Sequence, residues 1–242
     1  MRHRGRARGV ACKRLALIMA LLPACSASPP AADIGAAGEN AGGAADEPAA
    51  YPDDLPYARS VESFSPGDGA GFNQSKLPGV VLGPPRGAGT GQGTLDVVSL
   101  GSGGEIVLGF GARAIVDGPG PDLIVFENAF WPNGDASQVF AELGEVSVSE
   151  DGESWQTFAC DTRGDGEGGF PGCAGVRPTV VYDPVALVPL DPAQTGGDAF
   201  DLADVGVAHA RYVKIRDLGT LDLASNTSGF DLDAVGVINA GE

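Results

Sequence analysis

The chain has 242 residues with 32 acidic and 15 basic side chains, and all the acids follow Cys25 whereas six of the basic residues precede it. The part after Cys25 is therefore strongly acidic, which argues against nucleic acid and anionic membrane surfaces as partners because like charges repel. The acids form either a plain solvated surface or a source of ligands for divalent cations.

The N-terminus predicts export. A basic stretch is followed by an apolar run, residues 15–22, that is too short to span a bilayer, which takes about 20 residues. The sequence Leu22-Pro23-Ala24-Cys25 resembles a bacterial lipobox, in which the cysteine is lipidated and becomes the first mature residue. We predict a lipoprotein signal peptide over residues 1–24, lipidation of Cys25 and, because Ser26 rather than Asp follows it, an outer-membrane location at the cell surface. Ordinary cleavage near Ala27 is the alternative.

A tether and one domain follow the signal. Residues 25–50 are dominated by Ala, Gly, Pro, Ser and acids, so they cannot bury enough apolar surface to offset the entropy of ordering. We predict a disordered tether there and a single domain over residues 51–242. Within that domain, Cys160 and Cys173 predict a disulfide, which an exported chain permits. A metal–thiolate site is the alternative, with only two thiols and no nearby His.

Short strands separated by Gly and Pro turns dominate the domain. Residues 95–100 and 105–110 flank four residues rich in Gly and predict a hairpin. A second hairpin is predicted for residues 146–149 and 154–158, which flank Asp151-Gly152. Further predicted strands cover residues 114–116, 122–127, 212–216 and 230–238, and one helical turn is expected over 200–205, capped by Asp198 or Asp201. The pattern predicts an all-β fold, an antiparallel β-sandwich or jelly roll.

Two motifs carry a family resemblance. Residues 146–155, VSVSEDGESW, and residues 210–215, ARYVKI, resemble a hairpin and a strand of discoidin-like domains, which are galactose-binding-like jelly rolls. The likeness covers about half of the domain and implies that fold, with a calcium ion stabilising a loop near the sheet edge. The stretches 118–128, 197–206 and 229–235 are similar to bacterial proteins known only as cell-surface proteins. One fold hosts many functions, so the resemblance specifies no ligand.

Acids in these stretches are candidate calcium ligands. Asp231 and Asp233 lie two apart on a strand and are expected to point the same way, Glu127-Asn128 stands at a strand end, and Asp198 and Asp201 flank a turn. Carboxylate and amide oxygens are the ligands that Ca²⁺ takes. The sequence therefore predicts a calcium site from Glu127, Asn128, Asp198, Asp201, Asp231 and Asp233. The alternatives are turn capping by Asp after Gly, and ion pairs of Asp231 or Asp233 with Arg211 or Arg216.

The remaining side chains favour binding over catalysis. His209 is the one histidine after the predicted signal, and neither Gly-x-Ser-x-Gly nor His-Glu-x-x-His occurs, so we expect no enzyme. Trp131, which follows a strand end, is expected either in the core or on a ligand together with Tyr182, whereas Trp155 is expected to fill the core. The predicted function is a cell-surface module for carbohydrate or another surface ligand. The alternatives are a structural or adhesive envelope protein, and a carbohydrate-active enzyme with two carboxylates in a cleft or with His209 or Tyr182 as base.

Overall fold

Antiparallel strands build almost all of the regular structure. The computed structural model describes residues 54–164, 169–181, 190–220 and 229–241. The predicted signal peptide, the tether with Cys25, and Tyr182 lie outside these residues. The strands are β1 (Ser60–Ser65), β2 (Val98–Ser99), β3 (Glu105–Gly109), β4 (Ala114–Val116), β5 (Leu123–Glu127), β6 (Gly144–Ser149), β7 (Gln156–Thr157), β8 (Asp198–Phe200), β9 (His209–Ala210), β10 (Tyr212–Asp217), β11 (Asp231–Val237) and β12 (Ala240–Gly241).

Within the described residues the strands form three sheets. A five-stranded sheet has the order β1-β3-β10-β6-β7, a four-stranded sheet the order β2-β11-β5-β8, and a three-stranded sheet the order β12-β4-β9. Every strand pair in them is antiparallel. The prediction of an all-β antiparallel sandwich is therefore confirmed, while its galactose-binding-like type stays a prediction.

The main core lies between the two larger sheets. Ile106, Val146 and Ile215 of the five-stranded sheet pack in one cluster with Val125 and Leu232 of the four-stranded sheet. In β10, buried residues such as Val213 and Ile215 alternate with less buried ones, because successive side chains of a strand point to opposite faces of the sheet. In contrast, every residue of β5 and β11 is buried, because a second apolar cluster covers the other face of these strands. Its buried members are Tyr57, Ile124, Phe126, Leu190 and Ala234.

The first predicted hairpin is wrong. β2 pairs with β11 in the four-stranded sheet, whereas β3 pairs with β1 and β10 in the five-stranded sheet. Residues 101–104 therefore cross from one sheet to the other instead of closing a ladder. Apolar strands joined by a Gly-rich link are compatible both with a hairpin and with a crossing between two sheets. The two arrangements differ only in which strands β2 and β3 pack against.

The second predicted hairpin is confirmed. β6 and β7 pair antiparallel, and the Asp151 carboxylate caps the turn by accepting the N–H groups of Glu153 at 2.8 Å and Ser154 at 2.7 Å. Trp155, however, does not fill the core. It is half-buried beneath the Lys214 ammonium, which lies 4.5 Å from its ring centroid, because β7 is an exposed strand at the edge of the sheet.

Helical structure is short. One α-helix, α1 (Pro192–Thr195), begins after Asp191, whose carboxylate accepts the Ala193 N–H. A 3₁₀ turn over Leu202–Val205 is capped by Asp201, which confirms the predicted turn and selects Asp201 over Asp198 as its cap. In the described part of the chain, no helix is both long and apolar enough to cross a membrane.

The predicted disulfide is present. Cys160 and Cys173 are bonded, with Cα atoms 4.5 Å apart, and they pack with Leu143 and Val176 in a small apolar cluster. We expect the double variant Cys160→Ser/Cys173→Ser to lose about 3 kcal/mol of unfolding free energy in urea titrations, because the open chain gains entropy. Reductant should lower the stability of the native chain to the same level and leave the variant unchanged. A native chain whose stability ignores reductant would contradict the prediction.

Candidate functional site

Aromatic side chains gather in the segment between β5 and β6, which we call the aromatic loop (residues 128–141). The rings of Phe130 and Phe140 stack with centroids 5.0 Å apart and an interplanar angle of 20°. The Phe140 N–H also donates to the Phe130 carbonyl at 2.9 Å. The loop therefore closes on itself near its base and projects residues 133–138, all of them exposed.

Trp131 stands at the start of this projection. Its backbone N–H donates to the Thr90 carbonyl at 2.7 Å, which ties the loop to a neighbouring segment. The Trp131 side chain is half-buried. A short 3₁₀ turn, Pro132–Gly134, follows directly. Trp131 belongs to none of the three apolar core clusters of the described residues, so part of the indole stays available for contact.

The six predicted calcium ligands do not meet at one place. Asp201 lies beside Asp117 and Asp122, and one ligand atom from each of the three lies within 4.8 Å of the others. This group could hold a metal ion. Asp122 is fully buried and accepts N–H groups from Gly118 at 2.8 Å and Leu202 at 2.7 Å, so it is already well anchored. Asp117 and Asp122 were not among the predicted ligands, although the Gly-Pro turn between them was the available signal.

Asp198 has a structural role in the fold. One of its oxygens, Oδ2, accepts the N–H groups of Gly175 at 2.8 Å, Val176 at 2.9 Å and Arg177 at 3.4 Å. Burial raises the pKa of Asp198 to about 6, although these donors act in the opposite direction. The carboxylate thus fastens an irregular segment to the edge strand β8.

Asp233 is likewise separate from Asp231. Both of its oxygens lie 3.0 Å from the Arg86 backbone nitrogen, and the Arg86 guanidinium pairs with Asp96 at 2.9 Å. The register of β11 against β5 shifts between Leu232 and Ala234, so a β-bulge at Asp233 interrupts the regular alternation on which the prediction depended. Burial raises the pKa of Asp233 well above its usual range.

Glu127, Asn128 and Asp231 do come together, at one end of the four-stranded sheet. The Asp231 N–H donates to Glu127 Oε1 at 3.4 Å, and the Asn128 amide lies 3.5 Å from Asp231 Oδ2. Two acids that the sequence analysis missed face them. Glu142 accepts the Gly229 N–H at 3.1 Å and interacts electrostatically with Asp231.

Asp217 is the second missed acid. It is buried at the end of β10, where the inward alternation of Val213 and Ile215 continues, and that alternation was the signal in the sequence. Its carboxylate accepts N–H groups from Gly103 at 2.9 Å, Gly219 at 2.7 Å and Phe230 at 2.7 Å. Asp217 therefore joins three chain segments beside the other acids and adds negative charge to their surroundings.

The grouped acids resist ionisation. Burial, followed by the carboxylates of Asp231 and Glu142, raises the pKa of Glu127 well above its usual range. Burial and Asp231 raise the pKa of Glu142 to about 8, and burial raises the pKa of Asp231 to about 6. Among the described residues, no basic side chain acts on any of the three. Either protons or a bound cation must therefore offset their charge.

A separate polar cleft contains the histidine. His209 Nε2 lies 2.6 Å from Glu150 Oε1, and both side chains are largely exposed, at 45% and 62%. They line an open cavity of about 300 Å³ together with Asp151, Ser154 and Gln156. The cleft therefore combines two carboxylates with an imidazole.

Comparisons with known proteins add little. No family model matches the chain, and no curated protein matches its sequence. One solved structure to which it is similar bears the name glycoside hydrolase, with 14% identity, a TM-score of 0.25 and 60% of this chain covered. The chain spans about a fifth of that protein, 21% of its length. That name is an enzyme's and contradicts the expectation that this chain is not an enzyme, so we withdraw that expectation. A likeness of this degree carries no argument for a particular activity.

Proposed function

We propose that this chain is a cell-surface β-sandwich domain that binds carbohydrate through the aromatic loop and is stabilised by Ca²⁺. The observation that carries the proposal is the stacked pair Phe130–Phe140 beside the half-buried Trp131. Aromatic faces offer a large apolar surface at low cost in conformational entropy, and a tryptophan combines that surface with an N–H donor. Sugar rings present C–H faces and hydroxyl edges that match both properties.

The loop is already organised for contact. Its backbone is tied at Trp131 and at Phe140. Its exposed part is fixed by Asp135, which accepts from the hydroxyl of Ser137 at 2.7 Å and from the amide of Gln138 at 3.1 Å. A binding surface that is ordered before the ligand arrives loses less entropy on association. This supports a direct role for the loop in recognition.

Calcium is the cation that best suits the acid group Asp117, Asp122 and Asp201. All three ligand atoms are hard oxygens, and Ca²⁺ takes six to eight of these in flexible geometry. A site there would connect the loop after β4 with the start of the Leu202–Val205 turn. We propose a structural role for this ion.

We propose an outer-membrane location from the N-terminal sequence. Cys25 in its lipobox-like context and the tether of residues 25–50 would hold the domain at the outer membrane, with membrane contact through the lipid alone. The acidic charge of the exported chain supports a partner other than nucleic acid.

A Trp131→Ala variant tests the binding surface. We expect it to weaken binding of the best ligand from a glycan array by about 10-fold or more in calorimetry, as truncation of an aromatic anchor does at other interfaces. The matched control is Trp155→Ala, which removes another half-buried tryptophan, next to β7 of the five-stranded sheet, and should leave affinity unchanged. Equal affinity of Trp131→Ala and the native chain would rule out the aromatic loop. Binding to an envelope protein instead of any glycan would favour the adhesive alternative.

One observation favours a second candidate function, hydrolysis of carbohydrate. The cleft at His209 holds the two carboxylates of Glu150 and Asp151, and a pair of carboxyl groups is what most glycoside hydrolysis requires. Asp151 Oδ1 is occupied by the turn that it caps, so Asp151 would act through Oδ2, beside Glu150 and His209. Product analysis after incubation with polysaccharides distinguishes cleavage from binding.

A further inference from the structure

We propose that Glu127, Glu142 and Asp231 form a second divalent-cation site at the base of the aromatic loop, distinct from the group around Asp122. The ligand class is a hard divalent ion bound by carboxylate oxygens, and Ca²⁺ is the ion that the experiment below uses. This site includes Glu142, which no sequence pattern singled out, and it excludes Asp198, Asp201 and Asp233.

Two buried oxygens without partners indicate a missing ligand. Glu127 Oε2 and Asp231 Oδ1 are both buried and have no hydrogen-bond partner, although their residues are only 2% and 7% exposed. Buried polar atoms in folded proteins are nearly always paired, and an exception calls for an explanation such as a bound ion. Two such atoms on neighbouring strands, within one group of acids, share one explanation if a single cation binds both.

The other carboxylate oxygens of Glu127 and Asp231 are hydrogen-bonded and so orient the two oxygens that have no partner. Glu127 Oε1 accepts the Asp231 N–H, and Asp231 is hydrogen-bonded by Asn128 and by the Ser99 side chain. Glu142 Oε1 is held by the Gly229 N–H. In Glu127 and Asp231, one oxygen is therefore engaged by the protein and the other is free, which is the arrangement that positions a carboxylate to bind a cation through the free oxygen.

The charge around the group points the same way. In the described residues, the charged side chains that act on Glu127, Glu142 and Asp231 are one another and Asp217. The oxygens of Asp217 accept three backbone N–H groups. Asp217 therefore adds negative charge to the surroundings of the group and does not compensate it. A divalent ion neutralises such a group directly, whereas a surface cluster would be screened by solvent.

Occupation would draw the group together. Among the described residues, the acids whose ligand atoms already lie mutually within 4.8 Å are Asp117, Asp122 and Asp201, so the present group is more open, as unshielded carboxylates are. Glu127 directly precedes the aromatic loop and Glu142 directly follows it. An ion that binds both residues therefore fixes the two ends of the loop relative to each other. If the loop binds carbohydrate, which rests on the proposed function, the ion also supports ligand affinity.

Calcium titration of the purified full chain, stripped with EDTA and measured by calorimetry at pH 7.5, tests the site. We expect Glu142→Gln and Asp231→Asn each to weaken one binding event by a factor of about 10 or more and to leave any binding at the other group intact. Asp201→Asn is the matched control, since it affects the group around Asp122 and should leave this event unchanged. Circular dichroism confirms that each variant is folded, and two variants keep the test valid if one fails to fold.

Hydrogen exchange separates this inference from the proposed function without any glycan. Calcium should slow exchange of the Trp131 and Phe140 amides in the native chain and in Asp201→Asn, but not in Glu142→Gln. Unchanged calcium binding by both Glu142→Gln and Asp231→Asn would overturn the proposal. So would a native chain that binds no calcium at pH 7.5, because protons would then neutralise the acids. A chain that binds calcium here but no glycan would overturn only the proposed function.

Discussion

Replacement of Asp198 by Ala is expected to lower the unfolding free energy by about 3–5 kcal/mol, because each buried donor left without an acceptor costs about 1–3 kcal/mol. The carboxylate oxygen accepts N–H groups from Gly175, Val176 and Arg177, and the first two of these residues are buried. Urea denaturation at pH 7.5 measures the loss. The effect is large because one side chain satisfies several backbone groups of an irregular segment.

The matched variant for this position is Asp198→Asn. Its side-chain oxygen can still accept the same N–H groups, so we expect it to lose clearly less stability than Asp198→Ala. Asp198→Asn should also bind calcium as the native chain does, because one Asp198 oxygen is held by backbone N–H groups and Asp198 belongs to neither proposed site. Equal losses in the two variants would contradict the hydrogen-bonding account, and weaker calcium binding would restore Asp198 as a ligand.

In EDTA, the domain is expected to become less stable as the pH rises from about 5 to about 8, with a fall of roughly 5–10 °C in melting temperature. The pKa values of Asp198 and Asp231 are raised to about 6 and that of Glu142 to about 8. A carboxyl group whose pKa is higher in the folded state binds its proton more tightly there. The folded state therefore holds more protons than the unfolded chain across this window, and stability falls with pH.

The Glu142→Gln variant is the control for this profile. Its side chain cannot ionise, so the decline between about pH 6 and 8 should be smaller than in the native chain. Differential scanning calorimetry over the pH series measures both proteins. A native melting temperature that stays constant or rises between pH 5 and 8 in EDTA would contradict the assigned direction of these pKa values.

Local patterns predicted most of the strands and some of the turns. The alternation in residues 212–216, the Asp-Gly turn of the second hairpin and the Asp201 cap are all present, because each depends on residues within a few positions of one another. The disulfide is present as well. Similar patterns failed where two arrangements share the same local signal. The segment at residues 101–104 crosses between sheets, and Trp155 lies outside the core because it directly precedes a strand at the sheet edge.

The assembly of the acids depended on contacts across long stretches of chain. Glu127 and Asp231 are 104 positions apart and meet because β5 and β11 are neighbours in one sheet. Glu142 joins them because the aromatic loop returns to its starting point, and a β-bulge gives Asp233 different neighbours. The sequence by itself determined that the chain is acidic and all-β and favoured a disulfide between Cys160 and Cys173, since composition, cysteine positions and period-two alternation can be taken directly from the residues. Only the tertiary structure decided which acids share a site, because strand order, register and loop closure set those distances.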